Sequence, residues 1–401
     1  MSSSFSSAEG QQRFVVAREL FETYATYRMT EIVSRRFTQA DMLRWLESFR
    51  SMNLLTTIPL GQSAEGRTIS LLRLGTGSVK VFLWSQMHGD EPTATMALLD
   101  MLNFFARARD HVVSRTILDA LSLLIIPMVN PDGAERFQRR TAQSIDMNRD
   151  ALTLGTPEAH ILKETRDTYQ PHFGFNLHDQ DPRYTVGNSK NVCAVALLAP
   201  AFDESRSDND IRVAAKEVAS TFASVLQEFI PGHVSKYDET FEPRAFGDNV
   251  QKWGTSTVLV ESGGWPGDRE KMFVRKLNYV GLLTSLHAIA TGTYQQADLA
   301  AYEGLPLSTK YLYDVILRNA QLKANDQVSA VRVDIGINLD EELNMQNGRV
   351  ELVGKIVDIG DLSIFGAFQE VDVRDALLSG SEIKMDQRIT AERVQALLIK
   401  P

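Results

Sequence analysis

Disulfide chemistry is excluded first, because Cys193 is the only cysteine in 401 residues. With one thiol there is no intrachain bridge and no cysteine-rich metal site, so a free, partly buried thiol is expected. Nor does any uninterrupted apolar run approach the roughly 20 residues a membrane helix needs, so no membrane span is expected. The chain does not open with a basic segment followed by an apolar core, and a cytoplasmic location is the default expectation. A trimmed form of an exported protein would read the same way. Excess positive charge is missing too: 42 Lys and Arg stand against 51 Asp and Glu, a net charge of −9. That argues against nucleic acid or an anionic membrane as the main partner. No internal repeat or low-complexity tract appears.

What is present suits a catalytic domain with accessory pieces. Residues 1–54 read as a helical segment, with an aromatic and aliphatic stripe from Phe14 to Tyr24 and a cap at Thr38–Asp41 before a second helix. Between 55 and 294 short apolar runs alternate with helical patterns. Thr56–Leu60, Thr68–Leu74 and Val79–Trp84 predict three strands forming an antiparallel edge. Leu121–Val129 predicts a strand buried on both faces, stopped by a turn at Asn130-Pro131-Asp132-Gly133. Thr93–Arg109, Pro157–Gln170, Ile211–Phe229 and Lys271–Thr291 predict helices, and Phe173–Leu177 and Thr255–Val260 further strands. From 295 to 401 strand-length runs predict a small β-rich domain closed by a helix near Ala391–Ile399. The fold class expected is α/β, an open mixed, mostly parallel sheet flanked by helices.

Polar residues of catalytic type stand at the ends of four of these strands. His88 and Glu91 follow the run ending at Trp84, His178 follows Leu177, Glu261 follows Val260, and an arginine-rich loop from Arg139 to Arg149 follows Val129. In open α/β sheets the ligand site lies beyond the carboxyl ends of the strands, so residues distant in sequence are expected to converge there. Two imidazoles and a carboxylate with a spare glutamate and several guanidinium groups suit a hydrolytic zinc site acting on an anionic substrate.

These residues resemble the zinc carboxypeptidase family, the metallocarboxypeptidases. The likeness covers about residues 55–290 and rests on His88-Gly-Asp-Glu91, Asn130-Pro-Asp-Gly133, Arg139 with Asp146-Met-Asn148-Arg149, His178 and Glu261, with the leader QSAEGR before them. The resemblance implies one zinc ion per chain held by His88, Glu91 and His178. It implies Glu261 as general base and Arg139, nine residues before Asn148, as oxyanion stabiliser. Asn148 and Arg149 would grip a terminal carboxylate, and Asp146 would orient His88. His172 competes with His178, and Arg140 with Arg139. Tyr237, 24 residues before Glu261, stands where the family often has a mobile tyrosine, and Arg244 is an equal candidate to face the substrate.

The function so implied is removal of a C-terminal residue from a peptide through a zinc-activated water and a glutamate base. A zinc-dependent amidase or deacylase acting on cell-wall peptides or N-acyl amino acids is the alternative, and a silent binding module is disfavoured because all three ligands and Glu261 are present. The expected partner is therefore a peptide or acylated amino-acid substrate. The region after 295 is expected to supply no catalytic group.

Overall fold

The first two helices, α1 (Ala8–Tyr27) and α2 (Gln39–Ser51), form where the apolar spacing places them. Thr38 and Asp41 cap α2 reciprocally: Asp41 N–H donates to the Thr38 hydroxyl at 3.2 Å, and Thr38 N–H to the Asp41 carboxylate at 2.9 Å. Val16, Ala17, Leu20 and Tyr24 bury one stripe of α1. The computed structural model describes residues 8–323, 327–344, 349–374, 377–379 and 383–390. They divide into two units, one running to Pro182 and resuming over Cys193–Ser308, the other made of Arg183–Val192 and the chain from Thr309.

An eight-stranded sheet forms the first unit's centre: β1 (Thr56–Gln62), β2 (Thr68–Leu74), β3 (Val79–Ser85), β4 (Leu121–Ile126), β5 (Phe173–Asp179), β6 (Val195–Leu198), β7 (Val234–Lys236) and β8 (Ser256–Ser262). Their spatial order is β1-β2-β4-β3-β5-β8-β6-β7. Strands β4, β3, β5 and β8 run parallel, and antiparallel pairs join β2 to β4 and β6 to β8. The expected three-strand antiparallel edge is corrected here. β1 and β2 make the hairpin, but β4 intervenes and β3 lies inside the sheet. The reason is the crossover through α3 (Thr93–Arg107) and α4 (Val112–Ala120), which returns the chain parallel to β3. A helix therefore stands where the sequence suggested only connection.

Further helices of this unit are α5 (Pro131–Arg136), α6 (Pro157–Tyr169), α7 (Asp210–Phe229), α8 (Phe246–Lys252) and α9 (Met272–Thr291), followed by a single turn at Ala300–Glu303. Asn130 to Gly133 begins α5 rather than a free turn: the Asn130 side chain accepts from Gly133 N–H at 2.9 Å and Pro131 takes the first helical position. Alternation along β5 sends Phe173, Phe175 and Leu177 into the larger core with α1, α3, α7 and α9. Gly174, Asn176 and His178 are left on the other face, where Trp84, Leu162, Phe246 and Val250 pack. Asp100 of α3 and Arg275 of α9 form a buried ion pair that also takes the Tyr24 hydroxyl and Met29 N–H on Asp100, and the Met29 and Ile32 carbonyls on Arg275. The N-terminal segment is thereby tied into this unit.

In the second unit the strands Leu312–Lys323, Val331–Asn344, Arg349–Gly360 and Gly366–Asp372 form most of a six-stranded sheet. Val315, Leu317, Ile335, Ile337 and Ile356 build its core. The acidic stretch Leu339–Glu342 lies within a strand paired to Leu352 and its neighbours. The expected closing helix over 391–399 lies outside the described residues. No helix among those described is long and apolar enough to cross a membrane.

Candidate active site

The loop from β3 to α3 carries His88 and Glu91, and its shape depends on one glycine. A Cβ on Gly89 would stand 2.0 Å from the carbonyl carbon of Gly133, so this loop lies directly on the first turn of α5. The same helix holds the β1–β2 hairpin: Asp132 accepts from the Ser63 hydroxyl at 2.7 Å, Glu65 N–H at 3.0 Å and Arg67 at 2.7 Å. Three motifs far apart in sequence are one packed unit. His178 and Glu261 were expected just past their strands but are inside them, as register partners across β5 and β8.

His88, Glu91 and His178 converge, and all three are buried. The Nδ1 atoms of the two imidazoles are 3.2 Å apart. Glu91 Oε1 is 2.8 Å from His88 Nδ1, and Oε2 is 2.8 Å from His178 Nδ1. His88 Nε2 lies 3.0 Å from Asp146 Oδ1, and an ionised carboxylate only accepts, so that nitrogen carries the hydrogen. The Nδ1 atom of His88 then faces the Glu91 carboxylate and lies 3.1 Å from the Arg139 guanidinium. Two imidazole nitrogens and a carboxylate aimed at one another can hold a cation between them. Neutral imidazole nitrogens with a carboxylate form a zinc donor set, so the residues fit the ion that the resemblance implies.

Without a metal the charges of these groups act on one another. Burial alone would lower the His88 pKa, but the Glu91 charge and the hydrogen bonds to Asp146 and Glu91 outweigh it and raise it to about 9. Burial lowers that of His178 against the pull of Glu91. For Glu91 the two imidazoles overcome burial and hold the carboxyl well below its usual range. Asp146 is likewise held low, by His88 and Arg139 against burial. Glu261 moves the other way, raised by burial and by the Glu91 charge. Its carboxylate has no hydrogen bond to any described residue.

Arg139 reaches this group and Arg140 does not. Arg139 donates to Glu91 at 2.9 Å and to Asp146 at 3.1 and 3.2 Å, whereas Arg140 donates to the Ser144 carbonyl in its own loop. His172 stands before β5, accepting from Lys80 N–H, at the opposite end of the strand from His178. Asn148 Oδ1 accepts from Phe246 N–H at 2.9 Å, which leaves the amide's NH2 end for a ligand. Arg149 lies 3.3 Å from Glu242, which also holds Arg244 in a two-pronged contact. Tyr237 follows the edge strand β7, two strands from β8, and its N–H donates to the Leu197 carbonyl.

Sequence reasoning passed over Glu242, Asp179 and Lys271. Asp179 N–H donates to Glu91 Oε2 at 3.2 Å. Its side chain accepts from the Thr93 hydroxyl and lies 3.1 Å from Lys271 Nζ. Asp179 had a signal in its place beside His178; Lys271, at a helix start, had none.

The zinc carboxypeptidase family model matches residues 42–194. Carboxypeptidase 2 of Trichophyton rubrum is 28% identical over 162 residues, which cover 38% of this chain and 30% of that protein. The first curated relatives are thus matched over about a third of their length. Carboxypeptidase B of Astacus astacus is 23% identical over 297 residues, 69% of this chain and 84% of that one. The metallo-carboxypeptidase structure from Burkholderia cenocepacia shares the fold with a TM-score of 0.51 at 18% identity, over 64% of this chain and 70% of that chain. With its catalytic-type residues gathered at one end of this sheet, the chain is similar to the zinc carboxypeptidase family in sequence over residues 42–194 and in the fold of its first unit.

Proposed function

We propose that this chain is a zinc-dependent hydrolase that removes a C-terminal residue from a peptide. The observation that carries the reading is the buried convergence of His88, Glu91 and His178 with Glu261 in register one strand away. When bound, zinc supplies Lewis acidity and a water made nucleophilic near neutral pH.

His88, Glu91 and His178 would hold the ion, with Asp146 fixing the His88 ring so that Nδ1 points inward. Glu261 takes the proton of the attacking water and returns it to the leaving amine. Its raised pKa suits a group that must both accept and donate. Arg139, half-exposed and beside Glu91, offers N–H groups to the developing oxyanion. Asn148, through its free NH2 end, and Arg149 bind the substrate's terminal carboxylate, for which a planar fork is matched. Tyr237 is assigned to the substrate side with Arg244.

The test joins metal analysis to a substrate panel. The expected result is one zinc per chain, lost in His178→Ala, and release of C-terminal amino acids from peptides that stops on chelation and returns with zinc. Release of an acid from N-acyl amino acids with no peptide cleavage would replace this reading with a deacylase.

A further inference from the structure

Three local rules are broken at Lys271. It takes a left-handed backbone conformation (φ 53°, ψ 31°) though it is not glycine. It places a cation at the N-terminus of the 20-residue helix α9, against the helix dipole. It is also buried, at 4% exposure. Replacing a buried ion pair by apolar side chains is often neutral or stabilising, so folding by itself gives no reason to keep it. Conflicts of this kind between local preference and observed structure concentrate at functional sites.

The partners of Lys271 supply the reason. Its Nζ lies 3.1 Å from Asp179 Oδ2, 3.0 Å from the Ser262 carbonyl and 3.4 Å from the Gln180 carbonyl. Asp179 directly follows His178 on β5, and Ser262 directly follows Glu261 on β8. Asp179 Oδ2 also accepts from the hydroxyl of Thr93, two residues beyond Glu91, and its N–H donates to Glu91. One ammonium and one carboxylate therefore join the three segments bearing the imidazole ligands, the carboxylate ligand and the base. The pair Asp179 and Ser262 is the last in the β5–β8 register, closed by a backbone hydrogen bond from Gln180 N–H to the Ser262 carbonyl at 3.0 Å.

We propose that Lys271 is a positioning residue that, with Asp179, sets the distance between the zinc ligands and Glu261. It touches neither substrate nor metal and acts through the two strand ends. The proposal rests on the zinc hydrolase reading above, and its test separates the two.

The experiment compares wild type, Lys271→Met, Lys271→Arg and Asp179→Asn, each zinc-loaded and cobalt-loaded. Lys271→Met is expected to keep the wild-type far-ultraviolet circular dichroism. It should bind zinc about 10–100-fold more weakly in chelator competition, the range seen when a ligand's supporting group is lost. Its cobalt absorption bands should shift, and kcat should fall at least tenfold with KM within threefold. Lys271→Arg, which keeps the charge, should recover most of the zinc affinity. If Lys271→Met does not fold, Asp179→Asn carries the test with smaller changes in the same direction. Wild-type zinc affinity and cobalt spectrum in the folded variants, whatever their melting temperature, would overturn the proposal. If wild type cleaves no peptide, the functional reading fails while the zinc and cobalt measurements still decide the role of Lys271.

Discussion

His178 and Glu261 are direct neighbours across the parallel pairing of β5 with β8, and alternation puts both on the same face of the sheet. The proposed ligand and the proposed base therefore stand on adjacent strands rather than on loops. Glu261→Gln keeps the size of the side chain but cannot accept a proton. It should lower kcat by about two to four orders of magnitude, with zinc content and KM retained. Steady-state kinetics beside metal analysis check this, and activity within a few-fold of wild type would assign the proton to another group.

Substrate charge gives a second prediction. Arg149 is half-exposed and shares Glu242 with Arg244, so it is available to an incoming carboxylate. Amidating a peptide's C-terminus should cost roughly 2–3 kcal/mol of transition-state binding, near two orders of magnitude in kcat/KM. Arg149→Ala should remove most of that preference and keep its zinc. Equal cleavage of amidated and free peptides would exclude an exopeptidase.

Stability should depend strongly on the pair joining α3 to α9. Arg275 is buried against Asp100 and satisfies the carbonyls of Met29 and Ile32. Arg275→Met leaves a buried carboxylate without its counter-charge, and about 3–5 kcal/mol of unfolding free energy should be lost. Denaturant titration measures it; a loss under 1 kcal/mol would show that water reaches Asp100.

Asp248 sets a pH dependence. Burial pushes its carboxyl up from 3.8 to about 7, with the Glu242 charge adding to this and backbone N–H donors opposing it. Between those two values the native state holds a proton that the unfolded chain has released, so stability falls as pH rises through that window. The full shift corresponds to at most about 4 kcal/mol. Asp248→Asn, which still accepts from Glu242 N–H, should therefore be more stable than wild type at pH 8 and equal to it at pH 4. Melting curves at the two values test the sign, and an equal effect at both would refute it.

The sequence by itself determined the fold class and the composition of the site. Buried parallel strands need continuous apolar runs, and those runs announced β3, β4, β5 and β8 along with the polar residues that end them. The candidate trio His88, Glu91 and His178 was legible because a metal site restricts residue type so narrowly. Tertiary structure alone decided that β4 lies between β2 and β3, since strand order follows from how helices cover a sheet and no local spacing encodes it. It chose Arg139 over Arg140 and His178 over His172, because neighbouring side chains diverge and the two ends of a strand lie far apart. It also revealed Lys271 and Asp179. A buried ion pair joins residues remote in sequence, and only the folded chain brings its two charges together.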